Sequence, residues 1–338
     1  MMLAQPQALL QTIRTSQDWP MLAPPDNYRQ NCGKIVPTPK GAGSMDIGIM
    51  IAATAESGNI AEIAREVENL GYESFFIPEH PVIPIGFKTP LPGGGGGTLP
   101  EHYGRWMDPF VALTVAAAVT RRVKLGTGIC LLPEREPIIT AKTIATLDIV
   151  SGGRVILGVG GGWLREETEA LGTRFETRWK RLRETVEAIR VLWTQPVPSY
   201  QGELVKFPPV RCDPKPIQKP GPPILLGARG PKALERVVRT YDGWVPIAGR
   251  PASFKRDVDA LRKVASERGR NPDTLNISAF VGPGEDGISS EDLKLYQEAG
   301  AHRLVLFSQS DAIKMAAGQT LDIVRRLAPT IERAQKIN

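Results

Sequence analysis

From Met45 onward, short apolar runs alternate with amphipathic stretches, and the alternation repeats to the end of the chain. Met45–Ile51 has the length and composition of a strand. In Ile60–Leu70 the apolar residues Ile60, Ile63, Ala64, Val67 and Leu70 recur at helical spacing. Gly71 ends that helix. Further strands are predicted at Ser74–Ile77, Val123–Gly126, Arg154–Val159, Pro223–Gly227, Gly243–Val245, Leu275–Phe280 and Arg303–Phe307. Helices are predicted at Pro109–Val119, Pro137–Val150, Glu176–Trp193, Pro231–Arg239, Ser253–Arg268, Ser290–Ala299 and Thr320–Gln335. Eight such strand–helix units favour an α/β fold of the closed (β/α)8 TIM-barrel type. An open doubly wound sheet is the weaker alternative, because no G-x-G-x-x-G follows the first strand with an acidic residue about 20 positions on.

Three segments break the rhythm. Residues 1–44 are rich in Pro, Gln and Asn, lack periodicity and do not read as a signal peptide. They are expected to form an irregular N-terminal extension to a barrel domain spanning 45–338. The connection from Pro78 to Asp108 carries five consecutive glycines, Gly93–Gly97, and leaves the C-terminal end of the second strand. Barrel active sites lie at that end, so this connection is expected to be a lid. The connection from Thr194 to Pro222 is an insertion before strand five and is expected to serve packing.

Composition narrows the class. The chain of 338 residues is 41% hydrophobic and 23% charged, enough apolar material for a substantial core. The formal net charge of +6 suits either a solvated basic face or attraction for an anionic ligand. Cys32, Cys130 and Cys212 are far apart, which favours a reducing cytosol over a disulfide framework and points to a cytoplasmic protein. The three histidines, His80, His102 and His302, are equally scattered, so no metal site is expected. No apolar run approaches the roughly 18 residues that span a bilayer, so no membrane partner is expected. The arginines of Arg178–Arg190 are interleaved with Glu184 and Glu187, which reads as a salt-bridged face and not a nucleic-acid patch. Neither a G-x-S-x-G elbow nor a Walker motif is present.

Chemistry is expected at the strand ends. After strand two comes Pro78-Glu79-His80-Pro81. His80 is suited to proton transfer near neutral pH, with Glu79 orienting it or acting alone, although a histidine here could also merely satisfy a backbone carbonyl. After strand three comes Gly126-Thr127-Gly128, where glycine permits close approach to a ring, or simply a bulge. After strand four comes Gly160-Gly161-Gly162-Trp163, and after strand five Gly227-Ala228-Arg229-Gly230, directly before a helix. Backbone N–H groups in such turns and at a helix N-terminus favour a phosphate, and Arg229 adds charge. Together these turns point to a phosphorylated cofactor.

These motifs, with Asp108-Pro109-Phe110, Leu131-Leu132-Pro133, Leu147-Asp148-Ile149-Val150-Ser151-Gly152-Gly153-Arg154 and Tyr241-Asp242-Gly243-Trp244, resemble the luciferase-like flavin- and coenzyme F420-dependent oxidoreductases. The resemblance covers Met45 to Asn338. It implies a (β/α)8 barrel with a cofactor ring across the strand ends. A bulge or non-prolyl cis peptide near Thr127 would lie behind that ring, and Gly160, Gly161 and the Gly227–Gly230 turn would contact the cofactor phosphate. Glu79-His80-Pro81, Leu99 to Tyr103 and Gly161-Gly162-Trp163 look most like the F420 subgroup. In sugar-phosphate dehydrogenases of the superfamily a catalytic glutamate occupies the place of Trp163, so an apolar or aromatic small-molecule substrate is expected instead. The implied reaction is hydride transfer between a deazaflavin, coenzyme F420, and an organic substrate. The alternatives are an FMN-dependent monooxygenase supplied by a flavin reductase, and a non-catalytic cofactor-binding paralogue. Relatives commonly form homodimers.

Overall fold

The computed structural model describes residues 45–91 and 99–337. The expected extension at 1–44 and the Gly93–Gly97 run of the expected lid lie outside them. The strands are β1 (Asp46–Met50), β2 (Ser74–Ile77), β3 (Lys124–Thr127), β4 (Val155–Val159), β5 (Tyr200–Gln201), β6 (Lys206–Phe207), β7 (Ile224–Leu226), β8 (Gly243–Trp244), β9 (Asn276–Val281) and β10 (Arg303–Leu306). Eight of them close a barrel in the order β1-β10-β9-β8-β7-β4-β3-β2. Its recorded pairings are parallel, such as Ile49 beside Leu306 and Phe76 beside Gly126. The short antiparallel pair β5–β6 lies in the insertion before β7.

Two apolar layers account for the unbroken hydrophobic runs of these strands. Side chains alternate across a strand. Met50, Phe76, Ile156, Leu225, Val245, Phe280 and Val305 fill the barrel interior. Their neighbours Ile49, Phe75, Leu125, Val155, Leu157 and Leu304 pack outward into the larger core shared with the helices. A strand buried on both faces has no polar side. The N-terminal end of the interior is polar instead. Arg303, almost fully buried, donates to Glu73 through Nε at 2.6 Å and Nη2 at 2.7 Å, and through Nη1 to Ser278 Oγ at 3.0 Å. Burial alone would raise the Glu73 carboxyl, but Arg303 and Lys124 hold it well below the usual carboxylate range.

The helices are α1 (Ile60–Asn69), α2 (Pro109–Val119), α3 (Pro137–Ser151), α4 (Arg165–Ala170), α5 (Arg178–Thr194), α6 (Pro231–Thr240), α7 (Pro251–Glu267), α8 (Ser290–Glu298), α9 (Gln309–Ala316), α10 (Thr320–Leu327) and α11 (Pro329–Gln335). The single helix expected over Thr320–Gln335 is two, because Pro329 has no N–H to continue α10 and instead opens α11. The short helices α4 and α9 are additions to the expected set. Helices α2 and α3 are apolar on both faces, and Val111, Val115, Ile139 and Val150 are exposed on them. Among the described residues no helix is long and apolar enough to cross a membrane, and no cluster could hold a metal. Cys130 and Cys212 are buried and unpaired, while Cys32 lies outside the described residues.

Candidate active site

The site is built where β2, β3 and β4 end. His80, three residues beyond β2, is buried and held at both ring nitrogens. Its Nδ1 lies 2.7 Å from Glu167 Oε2 on α4. Its Nε2 lies 3.3 Å from Trp163 Nε1. An indole N–H can only donate. Nε2 therefore accepts, and the ring proton sits on Nδ1, where it donates to the carboxylate. The histidine is thus held as the neutral tautomer whose lone pair is on Nε2. The rings of Trp106, Tyr103 and Trp163 surround it, with centroids at 5.4, 5.5 and 5.9 Å. Trp106 Nε1 is buried and has no hydrogen-bond partner among the described residues.

Glu79 does not orient His80. Its Oε1 accepts from Arg135, through Nε at 2.7 Å and also through Nη2, and its Oε2 accepts from Leu131 N at 2.7 Å. Arg135 also donates to Asp108 Oδ2 at 2.7 Å. The permanent guanidinium claims the adjacent carboxylate, so the anion behind His80 comes from 87 residues further along the chain. Sequence reasoning missed Glu167 because α4 was not anticipated. A signal existed: Leu164, Glu167, Thr168 and Leu171 share one helical face, so Glu167 is an acid on the buried side of a short amphipathic turn.

The Pro78–Asp108 connection crosses this helix. Lys88 N and Thr89 N donate to Glu166 Oε1 at 2.7 and 3.2 Å, Thr89 Oγ1 donates to Oε2 at 2.6 Å, and Val82 N donates to Glu167 Oε1 at 3.4 Å. Its described parts are therefore fastened to α4 by two successive glutamates.

The glycine turns separate into two groups. A Cβ at Gly126 would fall 2.2 Å from the Phe76 ring, at Gly128 2.7 Å from Met50 Sδ, at Gly160 2.0 Å from Ile129 Cδ1, and at Gly227 2.7 Å from Ile129 Cγ2. Those four glycines are required by packing within the barrel mouth. Gly160 N and Gly227 N also bond the backbone, at Cys130 O and Val159 O. Thr127 Oγ1 is likewise engaged in the barrel wall, donating to Gly158 O at 2.7 Å. By contrast, the N–H groups of Gly161, Gly162, Ala228, Arg229 and Gly230 take no hydrogen bond among the described residues. Gly162 has φ +74° and Gly230, which precedes α6, has φ +88°. Around them stand Trp179, against Gly161, and Arg178, whose Nε donates to Gly162 O at 3.2 Å. Arg236 lies over the Trp179 ring at 4.3 Å. Burial and the neighbouring charges of Arg165 and Arg236 lower the Arg178 pKa, the mark of cations gathered in one place. Arg229 is exposed and faces Asp257 at 3.4 Å. The peptide between Gly128 and Ile129 is cis, close to Thr127 as the resemblance implied. A cleft of 420 Å³ lined by Arg190, Trp193, Gln218 and Asp242 lies at the opposite, N-terminal ends of the strands, away from these groups.

Residues 44–284 match the family described as luciferase-like monooxygenase. An uncharacterised protein of Mycobacterium tuberculosis is 36% identical over 286 residues, 84% of this chain and 98% of that one. A 5,10-methylenetetrahydromethanopterin reductase of Methanolobus tindarius is 32% identical over 209 residues, 61% of this chain and 63% of that one. Among solved structures, a coenzyme F420-dependent tetrahydromethanopterin reductase of Methanopyrus kandleri superposes with a TM-score of 0.63 at 21% identity, covering 85% of this chain and 99% of that one.

Proposed function

The chain belongs to the luciferase-like monooxygenase family, whose members are F420- or flavin-dependent oxidoreductases, and from that premise we propose that it transfers hydride between coenzyme F420 and an apolar or aromatic small molecule. One observation carries the reading: a buried neutral histidine, anchored on Glu167, stands at the strand ends that also bear the Gly161–Gly162 turn. Its relation to a sequence named as a reductase supports the same direction.

The residues present fit such a cofactor. Unengaged N–H groups at Gly161, Gly162 and Ala228–Gly230, the start of α6, and the cations Arg178 and Arg236 form a cradle for a phosphate. A deazaflavin supplies a ring carbon that gives or takes hydride and reacts poorly with oxygen. The protein supplies the proton chemistry. When a substrate hydroxyl is oxidised, the Trp163 N–H gives up the Nε2 lone pair, His80 Nε2 takes the substrate proton, and Glu167 stabilises the imidazolium. In the reverse direction His80 returns that proton. Trp106, Tyr103 and Trp163 keep the site apolar, and Trp106 Nε1 is available to donate to a substrate oxygen. Trp163 offers no carboxylate, so a sugar phosphate is a poor fit.

The family description favours a second reading, an FMN-dependent monooxygenase that receives reduced flavin from a reductase partner. Titrating the purified protein with F420 and with FMN separates the two. Tighter binding of F420 is expected. Saturation by FMN with no uptake of F420 sinks the first reading. His80→Ala is then expected to lower turnover about 10²–10⁴-fold, and near-normal turnover removes the role given to His80. We read the protein as cytosolic and homodimeric, on the unpaired buried Cys130 and Cys212 and the exposed valines of α2 and α3.

A further inference from the structure

We propose that Glu134 holds a proton at neutral pH and, by doing so, leaves Glu167 as the single anion behind His80. Glu134 would then be a positioning residue for the proton step. The first half stands on geometry alone, whereas the link to His80 rests on the function read above.

Glu134 ends the 3-10 turn Leu132–Glu134 that follows β3. Its Oε1 lies 2.9 Å from Thr168 Oγ1 on α4, one residue after Glu167. A Cβ at Gly162 would fall 2.9 Å from the same oxygen, so Glu134 abuts the turn that carries Trp163. Its other oxygen, Oε2, is buried and has no hydrogen-bond partner among the described residues. A buried carboxylate oxygen without a protein partner is costly to ionise.

Hydrogen counting is compatible with that state. Thr168 Oγ1 is also 3.1 Å from the carbonyl oxygen of Leu164. A threonine hydroxyl has one hydrogen, and a carbonyl can only accept. If the hydroxyl donates to Leu164, the contact with Glu134 needs a hydrogen from Glu134. A protonated Glu134 satisfies both contacts in one chain, from carboxylic acid to hydroxyl to carbonyl.

Charge counting agrees. The charged groups facing Glu134 are Glu167 from α4, Glu79 from the end of β2, and its own neighbour Arg135. Ionising Glu134 would add a carboxylate to a buried group whose Arg135 guanidinium is already taken by Glu79 and Asp108. Burial pushes the Glu134 carboxyl up to about 8; the charges of Glu167 and then Glu79 add to the rise, against weaker opposition from Thr168 and Arg135.

The consequence reaches His80. A second anion beside Glu167 would favour imidazolium, which puts a proton on Nε2. That proton would face the indole N–H of Trp163, donor against donor. With Glu134 neutral, one anion remains, Nε2 keeps its lone pair, and the contact with Trp163 is a hydrogen bond.

The test reads the proton directly. Infrared spectra of the intact protein at pH 7 are expected to show the carbonyl stretch of an un-ionised carboxylic acid. It should fade as pH rises through about 8 and be missing from Glu134→Gln. In Glu167→Gln, where a like charge is gone, the band should fade at lower pH. Nitrogen NMR of the three histidines, with His80 assigned through His80→Ala, adds the second readout. The His80 signals should change as wild-type Glu134 ionises, and stay put over that range in Glu134→Gln. Absence of the band at pH 7 overturns the proposal, as does its persistence in Glu134→Gln. If the band behaves as expected but His80 signals ignore it, the proton on Glu134 stands and its service to His80 falls. Neither result depends on turnover, so failure of the proposed reaction is seen separately.

Discussion

At the scale of single residues, the site is defined by which carboxylate each cation takes. Arg135 holds Glu79 with two N–H groups, and Leu131 N holds its second oxygen. That leaves His80 to the buried carboxylate of Glu167, which accepts from the ring at 2.7 Å. Replacing Glu167 by Gln keeps a hydrogen-bond acceptor but removes the charge that stabilises imidazolium. Turnover is expected to fall about tenfold or more, short of the roughly 10²–10⁴ for losing the acid–base group itself. The rate–pH profile should also change, because imidazolium loses its counter-charge. A Glu167→Gln enzyme with an unshifted profile would show that Glu167 does not act through His80. A neighbouring glycine illustrates a stricter limit. A Cβ on Gly158 would sit 2.2 Å from the carbonyl oxygen of Thr127, and this strand position is closed to any side chain.

At the scale of elements, α2 and α3 carry more apolar surface than the barrel can bury. Phe110, Leu113, Ala116, Ala141, Ile144 and Ala145 face inward. Val111, Val115, Ile139 and Val150 face out and are exposed. Exposed apolar side chains of that kind suit a contact surface, and the expected homodimer needs one. Changing Val111 to Lys together with Ile139 to Lys is expected to leave the fold intact, since both side chains are exposed, and to halve the mass in sedimentation. A wild-type protein that sediments as a monomer, or a double variant that remains a dimer, removes this face from consideration. The start of α2 is fixed separately: Asp108 accepts from Phe110 N and Val111 N at 2.9 and 3.0 Å while also binding Arg135. One residue thereby ties a helix start to the Glu79 ion pair.

At the scale of the whole molecule, the barrel has an ion pair at one end and the His80–Glu167 pair at the other. Arg303 and Glu73 close the N-terminal end of the interior. Glu73 has its pKa depressed in the folded state, so its contribution is complete above the unfolded value of about 4.5 and is lost as pH falls below it. Acid should therefore destabilise the fold. Arg303→Met leaves Glu73 buried beside Lys124 only, and is expected to cost about 3–5 kcal/mol at neutral pH. The variant should also lose part of the acid-dependent fall in melting temperature. Melting curves across acidic pH that coincide for both proteins would show that the pair contributes nothing.

The amino-acid sequence determined the strands and the parallel barrel, because these follow from local periodicity and turn residues. A run such as Val155-Ile156-Leu157 must be buried on both faces wherever it lies, and Gly162 and Gly230 adopt positive φ that other residues resist. Even the break before Pro329 was written in one residue, although helical periodicity on both sides concealed it. Only the tertiary structure decided which charges meet. Glu79 and Glu167 look alike as letters, and Glu79 stands next to His80 in the chain. Yet Arg135 reaches Glu79 first, and closure of the barrel delivers Glu167 to the histidine. The same closure shows that Gly126, Gly128, Gly160 and Gly227 make room for Phe76, Met50 and Ile129, whereas Gly161 and Gly162 keep unengaged N–H groups. Local preference depends on a few neighbouring residues and is legible in order. Electrostatic partnership depends on distance in space, which the chain acquires only when the ring of strands is complete.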